Sequence, residues 1–312
     1  MSGVVVEDYD VDRYMTVDQL INKFSRAGGF TAKHVAEAVE VLEEMFKDEK
    51  CTVFLSFPAC LVATGLRGVL AGLIKRRLVD VIVTTGGTFD HDLARAWGGK
   101  YLSGSFQVDD VALSKQGIHR LGNVFVPKED YGPLIEREVR KVLDELHDAG
   151  KTKLSSRELA EEFGRRLRDE NSILRQAALG KIPIYSPGIL DSAFGTQLVI
   201  YSQTKKLELD LIKDEKELLD IAFSAKKLGA LILGGGISKH HTLWFSQFKG
   251  GLDYAVYVTT ATEYDGSLSG ARIREAITWG KVKRKAKHVT VDGDATLILP
   301  VMLASVYARL GR

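Results

Sequence analysis

The chain has 312 residues, 45% of them hydrophobic and 27% charged, with 43 basic against 41 acidic residues and a net charge of +2. This is an ordinary globular composition, and its near balance of charge gives no bulk electrostatic case for nucleic acid. Two cysteines, Cys51 and Cys60, are too few for a disulfide framework and point to a reduced cytosolic setting, and no Cys/His cluster has zinc spacing.

The N-terminal stretch MSGVVVEDYDVDRYM is acidic and lacks a long apolar run, unlike a signal peptide. Residues 31–47, TAKHVAEAVEVLEEMFK, place apolar side chains at helical spacing. TVFLSF (52–57) reads as a short strand, GLRGVLAGLIKRRL (65–78) as an amphipathic helix, and VDVIVTT (79–85) as a buried strand ending at Gly86 and Gly87. A helical DHDLARAW follows. The region from Pro133 to Gly180 is strongly charged and helical, and is expected to hold no strand.

Alternation then resumes. IPIYSP (182–187) is a strand, KELLDIAFSAKKLG (216–229) a helix ended by Gly229, and ALILGGG (230–236) a strand running into glycines. KHHTLWFSQFKGG opens a helix, DYAVYVTTA (253–261) is a strand, and HVTVDGD (288–294) is the last strand. TLILPVMLASVYARL closes the chain as a helix despite Pro300, and its apolar run is too short to span a bilayer. Buried strands alternating with helices predict the α/β class. The expectation is a single domain over 1–312, with a large, doubly wound, mostly parallel sheet flanked by helices. It is Rossmann-like, yet has no G-x-G-x-x-G and no Walker motif.

In such sheets ligands sit beyond the carboxyl ends of the strands. The sequence puts its unusual residues there: Asp90, His91 and Asp92; Asp191; Lys239, His240 and His241; Glu263, Tyr264 and Asp265. The glycines at these ends either let backbone approach a nucleotide or only make tight turns. Adjacent His240 and His241 point about 100° apart on a helix, which suits a proton acceptor better than a shared metal. Glu263, Asp265 and Glu275, with Trp279, suit an organic cation, or are solvated acids beside a core ring. Lys281, behind Gly280 and ahead of Lys283, Arg284 and Lys285, is either a surface charge or a nucleophile activated by desolvation and neighbouring cations.

The segments LGGGISKHH and DYAVYVTTATEYDGSLSGARIREAITWGK resemble deoxyhypusine synthases, closely over residues 230–281. VDVIVTTGGTFDHDLAR, IPIYSPGILDSAFG and VDGDATLILP extend the resemblance more loosely across most of the chain. It implies an enzyme that uses NAD to oxidise spermidine and captures the aminobutyl group on a lysine as an imine. The group then passes to one lysine of the translation initiation factor 5A precursor, giving deoxyhypusine. By this resemblance Lys281 is the nucleophile and His240 the general base. Gly266, Glu275 and Trp279 contact the polyamine. Thr85, Gly86, Asp191, Gly235, Thr260, Ala261, Asp294 and Ala295 contact NAD. The family also implies a cytoplasmic homotetramer with sites at subunit interfaces, and no membrane or nucleic-acid partner.

The chain departs from eukaryotic members and looks like the archaeal branch. His91, Thr196 and Leu268 stand where eukaryotic members carry acids, and Ala59, Cys60 and Leu61 replace a Ser-Asn-Leu strand end. Asp90, Asp92, Glu263 and Asp265 are candidates to compensate, with Asp90 and Asp265 expected at the substrate. Two other readings remain: homospermidine-type transfer to a small amine such as putrescine, and RNA binding through KVKRKAK (281–287).

Overall fold

The computed structural model describes residues 5–311, so the first four residues of the N-terminal stretch lie outside it. Its packing falls into two compact units, one from residues 1–56 and 219–312 and one from residues 57–218. The chain is an α/β protein with a mostly parallel sheet flanked by helices.

The first unit opens with α1 (Val17–Arg26), started by a reciprocal Thr16–Gln19 capping box. Helix α2 (Phe30–Lys47) buries Val35, Val39, Leu42 and Met45 along one stripe. Strand β1 (Cys51–Phe57) follows, buried over its last five residues.

The second unit continues with α3 (Leu66–Lys75), β2 (Val81–Thr84) and α4 (Gly87–Ala96). Next come β3 (Leu102–Ser103), α5 (Asp110–Lys115), β4 (Ile118–Leu121) and β5 (Val124–Pro127). These three strands form a small antiparallel sheet, ordered β3-β5-β4, too short and too exposed to show a hydrophobic period. Helix α6 (Gly132–Asp148), strand β6 (Lys153–Leu154), α7 (Ser156–Arg166) and α8 (Ile173–Gly180) fill the charged middle. The expectation of no strand there is corrected by β6. It pairs in parallel with β8 (Glu208–Leu209), which follows β7 (Ile184–Tyr185) and α9 (Ala193–Ser202). Strand β7 pairs in parallel with β2, Ile82 opposite Ile184.

Helix α10 (Leu211–Ser224) leads into β9 (Lys227–Leu233). Gly229 therefore does not end a helix; it lies within β9, where an added Cβ would fall 2.5 Å from the Met45 sulfur. Helix α2 presses on the strand at that point, and only glycine leaves room. Then come α11 (Gly236–Ser246), β10 (Leu252–Thr259), β11 (Val282–Asp292) and α12 (Ala295–Leu310). Strands β1, β9, β10 and β11 pair in parallel in the order β11-β10-β9-β1. Helices α1, α2 and α12 pack together, with α2 against β10 and β11.

Strand β11 starts six residues earlier than its apolar pattern predicts, absorbing most of the basic run. Leu252 pairs with Val282 and Tyr254 with Lys287, so the intervening residues of β11 bulge out of register. Lys283 bonds Asp253 at 2.8 Å and Lys287 pairs with Glu44. Ion pairs thus hold a strand in which apolar alternation is missing.

Candidate active site

Lys281 sits where a 3-10 turn, Ile273–Ile277, gives way to β11. Gly280 makes the turn at φ 68°, a left-handed conformation that glycine adopts without a Cβ penalty. The Lys281 N–H donates to the Ala276 carbonyl at 3.0 Å. Its own carbonyl accepts from the Leu252 N–H at 3.0 Å and the Ser246 hydroxyl at 2.8 Å. With both backbone groups fixed, the side chain lines a pocket of about 280 Å³ shared with His240, Trp244, Leu268, Glu275 and Trp279.

The Lys281 Nζ lies 5.3 Å from the ring centroid of Trp244 and 5.5 Å from that of Trp279. Both distances are in the cation–π range. The rings are 44% and 67% exposed, so an organic cation entering from solvent meets them. One turn before Trp244 on α11, the His240 ring stacks on that indole with centroids 5.6 Å apart. Burial and the Lys281 charge hold the His240 pKa below its ordinary value, keeping a neutral imidazole as proton acceptor.

The three residues of KHH have three environments. His240 faces the pocket. The His241 ring packs on Phe245 at 4.9 Å, and burial lowers its pKa to about 4. Lys239 is 1% exposed and donates from Nζ to the Leu268 and Ala271 carbonyls. The chain pattern placed Lys239 at a strand end without a role and did not single out Trp244. The Trp244 signal was present, a tryptophan four residues after a histidine on one helix face.

Glu275 is the carboxylate among the pocket's lining residues. The other candidate acids are engaged elsewhere. Glu263 pairs with Arg274 at 3.0 Å, and exposed Asp265 accepts from the Ser267 N–H at 2.7 Å, closing the turn that Gly266 completes at φ 68°. In the second unit Asp90 is 2% exposed and accepts from the Ala193 and Phe194 N–H groups and the Tyr131 hydroxyl. In this structure Asp90 anchors the N-terminus of α9, and burial raises its pKa. Asp92 likewise holds the start of α8 and pairs with Arg67 at 2.6 Å. His91 bonds the Tyr101 hydroxyl through Nδ1 at 2.8 Å, and burial lowers its pKa to about 4. Thr196 is exposed on α9.

The expected cofactor residues of the first unit gather at one edge, beyond the carboxyl ends of β9, β10 and β11. Gly235 precedes α11, Thr260 and Ala261 follow β10, and Asp294 caps α12 just before Ala295. A Cβ on Gly235 would fall 2.2 Å from the Ser269 hydroxyl, and α11 begins with no side-chain cap on its N–H groups. A glycine turn at an uncapped helix start suits a phosphate. In the second unit Gly86 closes on the segment flanking Asp191, since its Cβ would lie 2.7 Å from the Ile189 carbonyl oxygen. The neighbouring Thr85 hydroxyl accepts from the Ala59 N–H at 3.0 Å.

The model of the deoxyhypusine synthase family matches residues 19–306. A protein of Ignicoccus hospitalis named "Probable deoxyhypusine synthase" is 56% identical over 98% of this chain and 96% of its own length. One of Sulfolobus acidocaldarius with the same name is 51% identical over 97% of this chain and 96% of its own. The crystal structure of a candidate deoxyhypusine synthase from Entamoeba histolytica shares the fold, with a TM-score of 0.68, 21% identity and 97% of each chain covered. A pocket that pairs a lysine with a neutral histidine on α11, in a chain this close to those relatives over nearly its whole length, places the protein in the deoxyhypusine synthase family of aminobutyl transferases.

Proposed function

We propose that the chain transfers the 4-aminobutyl group of spermidine to one lysine of the translation initiation factor 5A precursor, using NAD and giving deoxyhypusine. The observation that carries this reading is the grouping of Lys281, His240, Glu275 and two exposed indoles around one pocket. Residues 1–312 act as one functional domain, an extent supported by a family match reaching across both compact units.

Glu275 pairs with a protonated nitrogen of the polyamine, and Trp244 and Trp279 offer their ring faces to a methylene-flanked ammonium. Neutral His240 takes the proton released as the amine carbon adjoining the secondary nitrogen is oxidised. The Lys281 amine attacks the resulting imine carbon, and the bond to the departing nitrogen breaks, releasing diaminopropane. The acceptor lysine displaces Lys281 in the same way, and reduction of the new imine completes the transfer. Gly235, Thr260, Ala261, Asp294 and Ala295, with Thr85, Gly86 and Asp191, would hold NAD. When bound, NAD supplies the reversible two-electron oxidation of the amine carbon. The Gly235 turn and uncapped α11 fit such a group.

The reading places the enzyme in the cytoplasm as a homotetramer with sites at subunit interfaces, as the family resemblance implies. No helix among the described residues is long and apolar enough to cross a membrane. His91, Thr196 and Leu268, standing where eukaryotic members of the family carry acids, motivate the alternative, a small amine acceptor such as putrescine. Incubation with NAD, labelled spermidine and the factor 5A precursor tests the main reading. Label moves to the protein acceptor if it holds. Label found only in homospermidine, with putrescine supplied, supports the alternative, and no transfer to either acceptor refutes both.

A further inference from the structure

Residues 266–271, GSLSGA, form one wall of the pocket through Leu268 and Ala271. Two glycines and two serines in six residues give this loop little stiffness of its own. Yet its carbonyls are gripped in succession from below. The ammonium of Lys239 donates to Leu268 at 2.7 Å and to Ala271 at 2.5 Å. The Tyr257 hydroxyl and the Thr259 hydroxyl both donate to Ser269 between them. Lys239 also lies 3.8 Å from the Tyr257 ring centroid, so its charge rests on an aromatic face as well as on carbonyl oxygens.

Taking a lysine to 1% exposure is costly, and an apolar side chain would fill the same space without that desolvation. What an apolar side chain could not do is bond two carbonyls three residues apart. The same loop backs onto the glycine turn, where Ser269 occupies the space a Gly235 side chain would need. Burial lowers the Lys239 pKa only to about 8, so the ammonium persists at neutral pH. We infer that Lys239 is a positioning residue of the amine site, clamping the 266–271 loop so that the pocket wall and the glycine turn before α11 keep a fixed relation. This rests on the proposed amine chemistry for its kinetic consequence, but not for the clamp itself.

The test uses the full chain with Lys239→Met, which keeps the bulk and removes the donors, and Tyr257→Phe, which removes one fastening only. Two readouts are taken: amide hydrogen exchange of residues 266–271, and the KM-against-kcat split for spermidine oxidation. Lys239→Met should speed exchange in the loop and raise the spermidine KM about tenfold or more, with kcat at saturating amine within about threefold. Tyr257→Phe should move both readouts the same way by less. Unchanged loop exchange in both variants overturns the clamp, as does faster exchange spread evenly over the chain. If Lys239→Met does not fold, unchanged loop exchange in Tyr257→Phe alone overturns it. If the wild-type chain oxidises no spermidine, the proposed function fails, and loop exchange still decides whether Lys239 clamps.

Discussion

A lysine attacks an imine carbon only as the free amine, so the step needs a proton acceptor within the same pocket. Beside Lys281 stand two indole faces and the His240 imidazole, whose pKa burial and the lysine charge hold below its ordinary value. His240→Ala should slow spermidine oxidation by about 10²–10⁴-fold, the usual contribution of a positioned base, and leave NAD affinity within a few-fold of wild type. Stopped-flow absorbance of the reduced cofactor, beside equilibrium NAD titration, checks both halves. The motif residues Lys281, His240, Glu275 and Trp279 were legible in the sequence because GGG-x-x-KHH and EA-x-x-WGK are specific. Trp244 and Lys239 were harder to read: an exposed ring and a buried ammonium acquire meaning only from what they face. Asp90 was ambiguous for a related reason, since an acid at a strand end serves a ligand or a helix N-terminus equally well on paper.

At the level of elements, the site depends on where β11 begins. Gly280 turns the 3-10 segment into the strand, and the Leu252, Ala276 and Ser246 contacts then fix Lys281. Gly280→Ala forces a Cβ into left-handed backbone and should cost about 1–2 kcal/mol of stability. Urea unfolding reads that loss as a lower midpoint at constant slope, and the yield of lysine imine should fall with it. The alternation of apolar strands and amphipathic helices made β1, β2, β10 and α2 readable to within about two residues. It failed where structure rests on charge: the basic half of β11 is held by Asp253 and Glu44, and β6 is two residues long. It failed again at Gly229, whose requirement is set by Met45 on a helix far away in sequence.

For the whole molecule, two half-buried histidines tie stability to pH. His91 and His241 have pKa values near 4 in the folded chain against an ordinary 6.5, mainly through burial. The unfolded chain therefore binds more protons between those values, so stability rises with pH there. Their contribution is complete above about pH 6.5 and is lost as pH falls toward 4. The melting temperature should drop over that window, and His91→Gln with His241→Gln should flatten the slope. A slope unchanged in the double variant would assign the acid response to other groups.

The α/β class with parallel strands was legible from buried runs separated by helices, and the family from two motifs. The grouping of residues 1–56 with 219–312 was not, because nothing local in a strand records which distant segment it will pair with. The central claim is that Lys281 carries the aminobutyl group. Spermidine, NAD and borohydride, followed by mass mapping of the trapped adduct, test it directly. The account predicts one aminobutyl adduct on Lys281 and none in Lys281→Arg, whose guanidinium stays protonated. An adduct on another lysine, or one that survives in Lys281→Arg, would contradict it.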